Sequence, residues 1–289
     1  MTMVIDKDDR QPSEPAFFCK DPWGLSDGLT IEYVDRIGST NQALLDSDFG
    51  EVPRAPRVLC AHEQTAGRGR RGRNWLAEPG RSLCFSVAIE SRPARVDPSL
   101  SLAVGVAVAQ TLAPLTDSIG LKWPNDLLRR EAKCGGILIE RRGSPGADKL
   151  IERVVIGVGV NLLRPEDAQG LIDLPAAGVF DQSDDLPDRA HLLGELAEAI
   201  VASVHRHRIE SFAPWVDAWR GFDAWIGRPV QVSDAGRLLA WGVHCGVASD
   251  GSLLLESEGS ERRIVAGDVS LRESRAFGLL TSAPTVDQP

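Results

Sequence analysis

Apolar residues recur at two different spacings along this chain, and the change from one to the other predicts most of its elements. From Ile31 a strand-like run ends at Gly38, and Ser39 or Thr40 can cap a helix through Leu44 and Leu45. Val58-Leu59-Cys60-Ala61 and Leu83-Cys84-Phe85-Ser86-Val87-Ala88-Ile89 read as buried strands, around 57–62 and 82–90. Pro98 opens a long helix through Leu102, Val106, Ala109 and Leu112, whose small residues suit close packing. A short strand before Lys122, a turn at Pro124-Asn125-Asp126 and a strand from Ile137 to Glu140 follow. Ile151–Leu162 is strand-rich, and helices fill roughly 188–225. Leu192, Leu193, Leu196 and Ile200 mark an apolar helix face, while Trp215 and Trp219, four apart, pack into the core. After Ile226 the texture becomes short alternating runs broken at Ser233-Asp234-Ala235-Gly236 and Ser249-Asp250-Gly251, which predicts a small β-barrel.

The ends are different. Residues 1–28 are polar and proline-bearing and read as a mostly loose tail, although Phe17, Phe18 and Trp23 can dock. The segment after about Phe277 reads as disordered. With 289 residues there is room for one large domain and one small one. No apolar run reaches the ~18 residues of a membrane span. Asp6, Lys7, Asp8, Asp9 and Arg10 at the start are unlike a secretory signal. Five widely spaced cysteines (Cys19, Cys60, Cys84, Cys134, Cys245) include no Cys-x-x-Cys pair, which suits free thiols in a reducing cytoplasm.

A net charge of −9 argues against a broad basic face for nucleic acid. It also makes Gly67-Arg68-Gly69-Arg70-Arg71-Gly72-Arg73 stand out, with four guanidinium groups in seven residues. Like charges repel and glycines add backbone entropy, so such a loop is expected to be mobile until an anion orders it. Arginine forks match phosphate oxygens, and glycine lets backbone N–H groups approach closely. A solvated linker and an RNA-binding segment are the alternatives; a linker rarely separates two buried strands.

Lys122-Trp123-Pro124-Asn125-Asp126 concentrates polar chemistry at a strand end. Asp126 could hold Mg²⁺ and Asn125 could hydrogen-bond a ligand, whereas a capped turn with a packed tryptophan is the bland reading. Lys133 enters a buried strand beside Gly135 and Gly136, at the rim of a cleft or simply facing water. Gly157-Val158-Gly159-Val160-Asn161 runs through a strand and lacks a third glycine, so it is not a dinucleotide fingerprint. There is no P-loop, no zinc pair in His205 and His207, and no nucleophile elbow.

Taken in order, these motifs resemble those of biotin–protein ligases. The match rests on Ser39-Thr40-Asn41, Gln64, Gly67–Arg73 with Trp75, Lys122–Asp126, Lys133 with Gly136, and Gly157–Asn161. A terminal module with Gly227-Arg228-Pro229-Val230 and Ser252-Leu253-Leu254-Leu255-Glu256 completes it, over about residues 30–275. The resemblance implies an α+β fold, a mixed-sheet catalytic domain (30–225) of the biotin/lipoate ligase type followed by an SH3-like barrel (226–276). The tails would be 1–29 and 277–289. It implies a reaction in which biotin and Mg·ATP give biotinoyl-AMP, and a lysine of a biotin carboxyl carrier domain then takes the biotin.

By the same resemblance, Lys133, Arg68 and Arg70 are catalytic. Ser39, Thr40, Asn41, Gln64, Gly67, Arg68, Gly69, Arg70, Trp75, Lys133 and Gly136 bind biotin. Arg68, Arg70, Arg71, Lys122, Asn125, Asp126, Lys133 and Asn161 bind ATP, with Asp126 toward the metal. Residues before Glu32 are too few for a helix-turn-helix domain, so no DNA partner is expected, and no membrane partner either. Such ligases can form a homodimer through sheet edges, though no segment here identifies one. Lipoate–protein ligase is the nearest rival.

Overall fold

The computed structural model describes residues 18–19, 29–48, 55–91, 97–143, 152–166, 175–234, 237–265 and 270–273. The larger sheet contains β1 (Phe18–Cys19), β2 (Leu29–Ile37), β3 (Arg57–Gln64), β4 (Ser82–Ser91), β5 (Ile119–Lys122), β6 (Asp126–Arg129), β7 (Ala132–Gly143) and β8 (Glu152–Asn161). Their spatial order is β1-β2-β3-β4-β8-β7-β6-β5. Among the described strands only the β2–β3 pairing is parallel, so the sheet is mixed. Its helices are α1 (Thr40–Asp46), α2 (Leu100–Leu112), α3 (Arg189–Glu210) and α4 (Val216–Phe222).

Side-chain alternation assigns the two faces. Val58 and Cys60 of β3, Phe85 and Val87 of β4, and Val154 and Ile156 of β8 join the main core with α2, α3 and α4. Their neighbours Leu59, Ala88 and Val155 turn the other way and pack with Leu44 and Leu45 of α1. Among the described helices α1 alone packs on the opposite face, started by Ser39, whose side chain accepts from the Gln42 N–H.

The second sheet comprises β9 (Pro229–Asp234), β10 (Arg237–Val247), β11 (Leu253–Ser257), β12 (Ser260–Ile264) and β13 (Ser270–Glu273), in the order β12-β11-β10-β9-β13. It is antiparallel throughout, as an SH3-like module requires. Val230, Val232, Leu253 and Leu255 form its interior. Gly251 makes the β10–β11 turn at φ +80°, a conformation that suits glycine.

Differences from the sequence reading are local. The turn after Lys122 is followed by a strand, β6, which pattern alone did not reveal because Asp126-Leu127-Leu128-Arg129 is short. Strand β7 begins at Ala132, so Lys133 lies within a strand. Phe18 and Cys19 pair with Thr30 and Leu29, which ties a piece of the expected tail to the sheet edge. Phe17, Trp23 and the segment after 277 lie outside the described residues.

Candidate active site

The glycine–arginine run folds as a small hairpin. Trp75 N–H donates to Gly67 O at 2.9 Å and Gly69 N–H to Arg73 O at 2.7 Å, with an Arg68–Asn74 bridge between them. A 3₁₀ turn, Arg70–Gly72, forms the tip, where Arg71 and Gly72 both have positive φ. That is the chirality of a tight hairpin turn, and it asks Arg71 to adopt a conformation unfavourable for a side chain. In this hairpin the guanidinium groups find protein partners. Arg68 donates to Gln42 Oε1 at 2.6 Å and lies 3.7 Å from Glu140. Arg70 reaches Asn125 Oδ1 at 3.4 Å, and Arg71 pairs with Asp234 of the smaller sheet.

Below the hairpin, α1 and β4 build a polar lattice. Gln64 Oε1 accepts from the Thr40 N–H at 2.8 Å and from Thr40 Oγ1 at 3.2 Å. Thr40 Oγ1 also lies 2.7 Å from Ser86 Oγ, and Ser86 donates to Asn41 Oδ1 at 2.5 Å. Asn41 Nδ2 then donates to Glu140 Oε2 at 2.9 Å. Ser39 serves as the helix cap. Gly157 explains how Asn41 comes so close, since a methyl at 157 would overlap its amide.

The apolar part of the site is Trp75. Its ring lies over Gly159, where a methyl group would overlap the indole, and near Gly136, where a methyl would stand 3.7 Å from both the ring and Lys133 Nζ. The two glycines are cross-strand partners, so they clear one shallow bay for ring and lysine. Cys84 closes the bay from beneath; burial pushes its thiol up to about 11 despite the Trp75 and Gln64 groups facing it. It is a neutral packing group at physiological pH.

Charge gathers at the adjoining end of β5–β7. Lys133 Nζ lies 2.6 Å from Asp126 Oδ1 and Lys122 Nζ 3.0 Å from Asp126 Oδ2. Burial raises the Asp126 pKa, but the two ammonium charges outweigh it and hold the carboxyl at about 2. Lys133 also sits 5.8 Å from the Trp75 ring centroid. Two cations around one carboxylate leave a local surplus of positive charge beside the arginine hairpin, which suits anions.

That arrangement does not fit a resident Mg²⁺ site. Both oxygens of Asp126 are taken by ammonium groups, and the described residues contain no cluster of three or more His, Cys, Asp or Glu. Asp126 here orders two lysines. Asn125 anchors the bend through its amide donating to Ile137 O at 2.8 Å.

Asn161 sits apart from this charge. It is buried, bonded to Ala177 O at 3.4 Å and to Ser82 at 3.5 Å. Its link to the site is the segment 175–177, which also exchanges backbone hydrogen bonds with Lys133. Two site residues were not singled out from sequence. Ser86 interrupts an apolar strand, a signal that pattern reading passes over, and Glu140 ends one.

Comparison with known proteins agrees with this geometry. The Biotin/lipoate A/B protein ligase family matches residues 33–161. The chain is 35% identical over 259 residues to the bifunctional ligase/repressor BirA of Escherichia coli, spanning 87% of this chain and 77% of that protein. It is 33% identical over 246 residues to the biotin–[acetyl-CoA-carboxylase] ligase of Mycobacterium tuberculosis, spanning 83% and 88%. The structure of a biotin protein ligase from Aquifex aeolicus in complex with biotin and ATP superposes with a TM-score of 0.71. It is 26% identical and covers 84% of this chain and 99% of that one. Identity of this depth over most of both partners means that this chain belongs to the biotin/lipoate A/B protein ligase family, as a biotin–protein ligase.

Proposed function

We propose that the chain activates biotin with ATP to biotinoyl-AMP, releasing pyrophosphate, and passes the biotin to a lysine of a biotin carboxyl carrier domain. The observation that carries this reading is the junction of the Trp75 bay with the Lys133–Asp126–Lys122 cluster and the arginine hairpin. An apolar, hydrogen-bonding pocket there adjoins a site built for two anions.

The roles follow from position. Ser39, Thr40, Asn41 and Gln64 line the polar end and would hydrogen-bond the ureido ring of biotin. Trp75 and Gly136 flank its aliphatic chain, which points the carboxylate toward Lys133. When a biotin carboxylate oxygen attacks the α-phosphorus, the bond to pyrophosphate breaks and two anionic groups crowd together. Lys133, Arg68 and Arg70 would counter that charge in a site with little water, where fixed cations act strongly. Gly67 and Gly69 let the hairpin backbone approach the ligand. Lys122, Asn125 and Arg71 would hold the phosphates, and Asn161 would shape the nucleotide end through segment 175–177.

In the second half-reaction the carrier lysine attacks the acyl carbon and AMP leaves, with Lys133 still beside the departing phosphate. Mg²⁺ is assigned to the substrate, Mg·ATP, with phosphate oxygens as its ligands. Residues 30–225 are assigned to the catalytic domain and 226–276 to the SH3-like one.

No described helix is long and apolar enough to cross a membrane, and a cytoplasmic setting, where ATP and carrier proteins occur, is part of the reading. DNA binding is not, and a gel-shift assay checks that. The decisive test is mass-spectrometric. Purified protein with biotin and Mg·ATP, and no carrier, should yield biotinoyl-AMP in a Lys133-dependent way. Lipoyl-AMP formed in its place would move the chain to the lipoate branch.

A further inference from the structure

A buried acid–base pair at the junction of the two sheets is not used by the adenylation site. His244 of β10 and Asp223, which follows α4, are each 1% exposed at the side chain, with His244 Nε2 2.7 Å from Asp223 Oδ2. The second ring nitrogen sets the tautomer. Nδ1 accepts from the Gly246 N–H at 3.3 Å, so the proton sits on Nε2 and is donated to Asp223. Asp223 gathers two more donors, Trp219 Nε1 at 3.3 Å and the Trp225 N–H at 3.1 Å. A carboxylate this dry stays in place through its donors, and losing one leaves a buried charge underpaired.

The same segment is joined to the catalytic sheet. Ala224 N–H donates to Leu121 O at 3.0 Å, and Asp223 forms a parallel bridge with Leu121. Gly120 admits this approach, since a methyl there would lie 3.0 Å from Ala224 Cβ. The Trp225 ring faces Lys122 Nζ, 5.2 Å from its centroid, and Lys122 is bonded to the Asp126 that also holds Lys133.

We propose that His244 and Asp223 are positioning residues: they hold Trp225 against Lys122 and so set the two ammonium groups around Asp126. The smaller sheet would then govern the ATP half of the site without touching ATP. The inference rests on the adenylation reading above.

The test compares wild type with His244→Leu, His244→Gln and Trp225→Leu in the full chain. Pyrophosphate release gives KM for Mg·ATP and kcat, and calorimetry gives biotin affinity. Leucine keeps the bulk and removes the donor, whereas glutamine returns an N–H near the Nε2 position. His244→Leu should raise KM for ATP about tenfold with biotin affinity held within about twofold, because small displacements of charged groups cost large factors in rate. His244→Gln should recover most of the loss. Trp225→Leu, which leaves the pair intact, should give the same ATP-specific defect, and it decides the matter if His244→Leu does not fold. An unchanged KM for ATP in either leucine variant would overturn the proposal. So would a parallel loss of biotin affinity, or a glutamine variant as impaired as leucine. A wild type that makes no biotinoyl-AMP would overturn the adenylation reading itself, and this inference with it.

Discussion

Gly159 and Trp75 occupy space that only one of them could fill with a side chain: the indole lies against the bare Cα of the strand, where a methyl group would overlap the ring. A glycine inside a strand weakens it, so its presence there has to be compensated by something that needs the room. Here that is the wall of the proposed biotin bay.

Gly159→Ala should therefore expel the indole. Overpacking of this kind costs about 1–3 kcal/mol, and biotin affinity measured by calorimetry should fall by roughly an order of magnitude. An alanine variant that binds biotin as wild type does would show that Trp75 is not part of the pocket.

Lys133→Ala removes the cation proposed to serve both reacting anions and takes away one of the two lysines paired with Asp126. Loss of one preorganised charge should slow adenylation by about 10²–10³-fold, seen as pyrophosphate release. Biotin binding should persist in part, because the polar end of the pocket is untouched. Near-normal adenylation would take Lys133 out of the mechanism.

Arg70 bonds to Asn125 at 3.4 Å, a long contact that an anionic ligand can outcompete. Arg70→Gly should retain the adenylate poorly while still making it. Biotinoyl-AMP appearing in solution, measured by filtration and mass spectrometry, should rise well above the wild-type level. If release is unchanged, the hairpin does not hold the intermediate.

The Asp126 cluster predicts a pH signature. Its folded pKa, about 2, lies below the ordinary 3.8, so the stabilisation is present above 3.8 and is lost as pH falls toward the folded value. Wild type should exceed Asp126→Asn in urea stability at pH 5, and the gap should narrow steadily by pH 2.5. A gap that does not change with pH would mean the carboxylate is not ion-paired as described.

Arg153 and Glu90 form a buried ion pair, and Arg153 also donates to the carbonyls of Leu44, Ser47 and Asp48 at the end of α1. Glu90→Ala would deprive the buried guanidinium of its countercharge, at a cost of about 3–5 kcal/mol in denaturant unfolding. Biotin affinity should drop as well, since α1 carries Thr40 and Asn41. A small change in both would assign Arg153 no role in seating the helix.

Much of the site was legible because its chemistry is compositional. Arginines among glycines, a lysine beside glycines at a strand entry, and a Pro-Asn-Asp bend announce themselves in one dimension. The strands at β3, β4 and β8 and the helices after Asp188 followed from hydrophobic period, and so did the change of texture after Ile226. Ser86 and Glu140 were different. Alone, each is an ordinary strand residue; their use depends on which face of the pleat they occupy and what crosses it.

What the sequence by itself determined was the supply of parts: the order of the elements, a local excess of cations, and the absence of a P-loop. The tertiary structure alone decided which parts meet. Trp75, between β3 and β4, meets Gly159 of the neighbouring β8, Lys133 and Lys122 share one carboxylate, and His244 finds Asp223 from the other sheet. Such meetings depend on register, twist and chain path, which are set by burial of the whole core. No local run of residues encodes them.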